Sequence, residues 1–117
     1  MQAEIMTHNE LMAKIANLAR NLGVDVFSIP DSRNVTSSGW PDLCLAGAGG
    51  VAFREVKVAP DDLSAAQRRW GARLTQAGLD YAVWWETDWT NGTIDRQLHQ
   101  LAGIRDAKPP AKPLAPI

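Results

Sequence analysis

The chain reads as an α/β fold, a sheet held between helices, and three observations predict it. Two stretches carry apolar residues at helical spacing behind capping signals. Short runs rich in β-formers lie between and after them, and the central runs are apolar on both faces, as a covered sheet requires. The expected order is α, β, β, β, α, β, α.

Thr7 opens the first helix, and Glu10 three residues on completes a capping-box pattern. Leu11, Met12, Ile15, Leu18, Ala19 and Leu22 form one apolar stripe, and Gly23 ends it. At about 100° per residue His8 lies on that stripe and Glu10 points nearly opposite. "VDVFSI", residues 24–29, alternates and stops at Pro30, so it is expected as a strand. A polar loop, "PDSRNVTSSG", follows. "DLCLA" and "VAFREVKV" are strands on either side of "GAGG", whose glycines permit positive φ. Ser64 begins the second helix with another capping box, Ser-x-x-Gln67; Trp70, Leu74 and Ala77 form its inner line and Gly78 stops it. "DYAVWWE" is the fourth strand and "TIDRQLHQLAGI" a final short helix. Residues 1–107 make one domain. Four prolines in residues 108–117 exclude helix and central strand, so that segment is expected as a flexible tail.

Composition removes several function classes. A chain of 117 residues with 45% hydrophobic and 21% charged residues is an ordinary folded domain. Cys44, the only cysteine, can form no internal disulfide and no thiolate cluster, and its neighbours place it in the core. No apolar run is long enough to span a bilayer, and "MQAEIMTHNE" lacks the basic start and hydrophobic block of an export signal, so no membrane partner and a cytoplasmic location are expected. A net charge of −1 argues against coating nucleic acid by bulk electrostatics. Any DNA contact is local, drawn from the gathering of Arg54, Lys57, Arg68, Arg69 and Arg73; a solvated helix face is the plainer reading of the last three.

The informative stretch is "GWPDLCLAGAGGVAFREVKV", residues 39–58. With the turn centred between Ala48 and Gly49, Asp42 falls directly across from Glu55, where side chains lie about 4.5–5.5 Å apart and like charges repel. Lys57 points to the same face as Glu55. A divalent cation would relieve that repulsion, since Mg²⁺ prefers oxygen ligands and takes one or two carboxylates beside water and a substrate phosphate. Such an ion activates water and neutralises charge on a phosphate, with Lys57 positioning the nucleophile or stabilising the transition state: phosphodiester hydrolysis. Pro-Asp also serves as turn chemistry, and Glu-x-Lys also forms exposed cross-strand pairs. Exposure sits poorly beside Val51, Ala52, Phe53, Val56 and Val58.

"GWPDL", "FREVK" and "LSAAQRRW" in this element order resemble the PD-(D/E)XK nuclease superfamily, and within it the virus-type replication and repair (VRR-NUC) branch, over Thr7 to Trp89. The resemblance implies a restriction-endonuclease-like fold with an αβββαβ core, similar to Holliday-junction resolvases. It implies a Mg²⁺-dependent homodimeric endonuclease acting on branched or structured DNA in replication, recombination or repair, with Mn²⁺ able to substitute, and often phage-borne, hence working in a bacterial host cytosol. Asp42, Glu55 and the Val56 carbonyl would be metal ligands and Lys57 the catalytic lysine. Gln67 matches the family's catalytic glutamine; its other reading is the capping box, and one glutamine is expected to serve only one role well.

The first helix departs from the family pattern. The usual glutamate and glutamine positions fall on His8 and Met12, which makes His8 the candidate replacement ligand, with a surface histidine as the plainer reading. Glu10 faces away and Glu4 precedes the helix. For DNA, Arg33 in an Asp31-Ser-Arg33 loop and Arg68 and Arg69 are candidate phosphate contacts, and Trp40 either stacks on an unpaired base or packs. Trp84, Trp85 and Trp89 are expected at a sheet edge or a dimer interface. His99 is assigned nothing. The rival functions are a DNA-structure-binding module that has lost catalysis and a structural accessory protein whose acidic cluster is an ion-pair remnant.

Overall fold

Residues 6–29 and 37–104 are described by a computed structural model. Glu4, Asp31, Arg33 and the proline-rich segment 108–117 lie outside the described residues.

Both helix starts form as their capping boxes predict. The Thr7 hydroxyl accepts from the Glu10 N–H (3.1 Å) and Glu10 Oε1 accepts from the Thr7 N–H (2.9 Å), opening α1 over His8–Asn21. This capping holds the Glu10 carboxyl below its ordinary range. Ser64 and Gln67 repeat the exchange at 3.1 and 2.8 Å and open α2 over Ala65–Gln76.

The four strands are β1 (Asp25–Ser28), β2 (Leu43–Gly47), β3 (Gly50–Lys57) and β4 (Asp80–Trp85), in the order β1-β2-β3-β4. β1–β2 and β2–β3 are antiparallel and β3–β4 is parallel, with α2 as the crossover. The expected α/β architecture, a mixed sheet flanked by helices, is therefore present. Two details differ. The chain turns into a short helix, α3 (Glu86–Thr90), before α4 (Thr93–Leu101), where a strand ending at Glu86 and one helix were expected. The Asp88 carboxylate accepts from the Trp85 N–H (2.8 Å), and the Glu86 carboxylate accepts from the Ala59 N–H (3.0 and 3.2 Å), so these acidic residues end the strand locally. The inner line of α2 is Gly71 and Leu74, and Ala77 is exposed. A Cβ at Gly71 would lie 2.5 Å from the Tyr81 ring, so the glycine is where α2 settles onto β4.

One face of the sheet carries the core. Leu43, Leu45, Ala52, Val56 and Trp84 pack there against Leu11, Ile15 and Ala19 of α1 and Ile94 and Leu98 of α4. On the other face α2 lies against β4, and the far side stays open: Phe27 is 64% and Val51 51% exposed. Covering on both faces is thus complete only for the inner end of β3. The hairpin glycines also act differently from expectation. Gly50 has positive φ (146°), but Gly47 and Gly49 serve close approach, because a Cβ on either would strike the Leu101 or Gln100 carbonyl at the end of α4. The Gly49 N–H donates to the Leu101 carbonyl at 2.8 Å, tying the turn to α4.

Arg54 is not part of a basic surface. It is 3% exposed on the core face, where its guanidinium donates to the carbonyls of Phe53 and Asp80 (both 3.0 Å) and to Gln97 Oε1 (3.1 Å), and pairs with Asp80 Oδ1 (2.9 Å). It lies 5.1 Å from the Trp84 ring centroid, and the Trp84 indole donates to the same Gln97 oxygen at 2.9 Å. Burial lowers its pKa, opposed by Asp80. The group bolts α4 to the sheet.

Candidate active site at the open end of the hairpin

The register forms as the turn position predicts. Gly47 faces Gly50 and Leu43 faces Arg54, so the next position outward sets Asp42 across from Glu55. Asp42 is brought there by a tightly held strip. Gly39 takes φ 90°, and a Cβ on it would sit 2.5 Å from the Ala66 carbonyl carbon, so only glycine lets this segment lie on the first turn of α2. Trp40 packs edge-on against Phe53 (5.7 Å between centroids) and Trp70 (4.9 Å), and Pro41 is fully buried. The Asp42 carboxylate is then pinned: its Oδ2 accepts from the Val56 N–H at 2.9 Å.

Glu55 is 2% exposed. Its Oε2 accepts from Gln67 Nε2 (2.9 Å) and lies 3.8 Å from Lys57 Nζ, whereas Oε1 is buried with no partner. Burial, and then the charge of Asp42, push its carboxyl up to about 8, with Lys57 pulling the other way. The repulsion expected from sequence is real, and one lysine does not cancel it.

Gln67 was expected to choose between the cap and the site, and it contacts both. Its Oε1 accepts from the Ser64 N–H while its Nε2 donates to Glu55, so the two ends of one amide make the two contacts. The capping box aims the amide: fixing the oxygen at the helix start leaves the nitrogen directed at the sheet.

His8 does reach the site from the start of α1. Its Nε2 lies 3.4 Å from Asp42 Oδ2, with the imidazole 41% exposed. The contact is to a carboxylate and not to an open ligand position. Among the described residues no three His, Cys, Asp or Glu side chains are grouped so as to hold a metal ion. What the chain presents is two opposed carboxylates, one with an orphaned oxygen.

The DNA-contact candidates separate. Arg68 is exposed, pairs with Asp62 at 3.0 Å and borders a groove with Leu63, Gly71 and Tyr81. Arg69 is exposed on the other flank of α2, beside Trp70 and Ser37. Trp40 has the packing role. Trp84 is core rather than edge, Trp89 packs against the core rim, and His99 Nδ1 lies 2.8 Å from the Asp95 carbonyl within its own helix. Cys44 is half-buried on the open face, opposite Phe27 and Phe53, and not in the core.

Tyr81 was not foreseen. The parallel register sets it beside Phe53, on the face that carries Glu55, and burial followed by the charges of Glu55 and Asp42 raises its pKa. Alternation in "DYAVWW" could place Tyr81 on one face of β4, but only the parallel pairing says which.

No helix among the described residues is long and apolar enough to cross a membrane. In comparisons with known proteins, no family model matches the chain, and neither the curated proteins nor the solved structures include a significant match.

Proposed function

We propose that the protein is a metal-dependent endonuclease that hydrolyses DNA phosphodiester bonds, selective for branched or four-way DNA and acting as a homodimer in the cytosol. One observation carries the reading: a nearly inaccessible carboxylate, Glu55, holds an unpartnered oxygen directly across from a second carboxylate, with an ammonium 3.8 Å away. Leaving a buried polar atom unsatisfied costs about 1–3 kcal/mol, and without a cation Glu55 stands beside Asp42 only by keeping its proton up to about pH 8; a bound cation would remove both penalties.

That donor set fits a hard divalent cation, Mg²⁺ or Mn²⁺, which needs only one or two carboxylates from the protein. Asp42, Glu55 and the Val56 carbonyl would hold it. When bound, it supplies Lewis acidity toward the phosphate and a water of lowered pKa. The chain's own residues do the rest. The Val56 N–H keeps Asp42 oriented. Gln67 fixes Glu55 Oε2 so that Oε1 remains the open position. Lys57, with its side chain 15% exposed, brings a poorly solvated positive charge to where negative charge grows on the phosphate oxygens.

A second reading, DNA-structure binding without cleavage, draws on His8. It engages Asp42 where a third ligating side chain would otherwise stand. Cleavage of labelled duplex, flap, splayed and four-way DNA with Mg²⁺, Mn²⁺ or EDTA decides between them. Metal-dependent cutting, lost in Lys57→Ala, is expected; tight binding of branched DNA with no cutting under either metal would favour the second reading.

A further inference from the structure

Beyond the carboxylate pair, the flank of α2 facing the loop before Gly39 holds a cleft of about 220 Å³ lined by Ser37, Arg69, Trp70 and Arg73. Arg69 and Arg73 are four residues apart, so they stand one above the other on the helix. Both are exposed, and among the described residues neither pairs with an acidic side chain, unlike Arg68 with Asp62 and Arg54 with Asp80. Trp70 lines the cleft beside them and is held on two sides. The Trp70 indole donates to Ser37 Oγ at 3.2 Å and packs edge-on against Trp40, two residues before Asp42.

We infer that this cleft is a phosphate subsite for the DNA backbone, in which the Arg69 and Arg73 guanidiniums take a phosphate a few nucleotides from the scissile one. The inference rests on the nuclease reading. Three features favour backbone phosphate over other occupants. Two guanidiniums with no acidic partner among the described residues line one small cleft in a chain of net charge −1, so the positive charge is local. The forked donors of a guanidinium suit a tetrahedral oxyanion. The cleft also shares its helix with Gln67: at about 1.5 Å and about 100° per residue, Arg69 and Arg73 lie about 3 and 9 Å further along the axis and about 200° and 240° around it, so the phosphate they take belongs to backbone passing round the outer side of α2. Trp70, packed on Trp40 two residues before Asp42, ties the cleft to the segment that carries the carboxylate. Arg69, a phosphate candidate from sequence, is thereby joined by Arg73, which the sequence reading counted in the basic gathering but did not single out.

The test measures binding of labelled four-way DNA by the full chain carrying Lys57→Ala, so that the DNA stays intact, in Mg²⁺ over a series of KCl concentrations. Adding Arg69→Ala and Arg73→Ala together should reduce the slope of log Kd against log salt by about 1, the signature of one lost phosphate contact. Arg20→Ala, at an exposed position in the last turn of α1, should leave the slope unchanged. Arg69→Lys together with Arg73→Lys should keep most of the parent's slope. An unaltered slope in the doubly substituted protein overturns the subsite while leaving the nuclease reading intact. Failure of the parent to bind any DNA overturns both.

Discussion

Replacing Glu55 by glutamine should make the metal-free protein more stable, and increasingly so as pH rises. The side chain is 2% exposed and its carboxyl is held at about 8, against an ordinary 4.5, by burial and by Asp42. Between those values the folded chain keeps a proton that the unfolded chain releases, so stability must fall as pH rises. The contribution is fully present below about pH 4.5 and is lost as pH passes through about 8. At about 1.4 kcal/mol per pH unit the interval sets a ceiling of about 5 kcal/mol. Glutamine has nearly the same shape, can still accept from Gln67, and carries no charge. In EDTA, Glu55→Gln should melt close to the parent at pH 5 and roughly 10 °C or more above it at pH 9. The assay is thermal unfolding of both proteins across that range. Melting curves that run parallel from pH 5 to pH 9 would refute the reasoning, because they would mean that Glu55 ionises in the fold without penalty. Adding Mg²⁺ at pH 8 should raise the parent's Tm and leave Glu55→Gln unmoved, since a bound cation supplies the compensation that the amide makes unnecessary.

The other predictions concern the residues around that carboxylate. Gln67→Ala should cost about 1 kcal/mol of stability through the lost capping box and should also slow cleavage. Gln67→Glu keeps the capping acceptor but sets a carboxylate against Glu55, so its deficit in urea unfolding should be larger at pH 8 than at pH 5. Arg54→Met should lower stability by about 1–3 kcal/mol in urea, with little dependence on salt, because Gln97 and the Asp80 carbonyl lose a buried donor while Asp80 itself is half-exposed. His8→Ala should leave cleavage within about 10-fold of the parent, because the Val56 N–H still orients Asp42; a loss beyond about 100-fold would make His8 a participant in the chemistry.

What could be read from the sequence was local or periodic. The capping boxes at Thr7 and Ser64 need only residues three apart, and both form. The hairpin register followed from the position of its turn, because antiparallel pairing conserves the sum of partner positions; the opposition of Asp42 and Glu55 was therefore legible before any fold was known. Alternation put Lys57 on the same face as Glu55, and the pair lies there.

The tertiary structure decided everything that depended on which element lies over which. Arg54 and Glu55 are neighbours in "FREVK", yet one is buried against α4 and the other faces α2, and composition alone had put Arg54 among basic surface residues. Gln67 serves cap and carboxylate at once only because the start of α2 sits over β3. Gly39, Gly47, Gly49 and Gly71 are required by backbones and a ring that approach from distant segments. Tyr81 joins the electrostatics of the site through a parallel pairing that no turn announces. The short α3 escaped notice because five residues show no helical period, and "WWETDWT" carries β-forming aromatics up to its end. Spacing along the chain is set by covalent geometry and can be read directly, whereas the approach of separate segments is settled by burial of the whole apolar surface together.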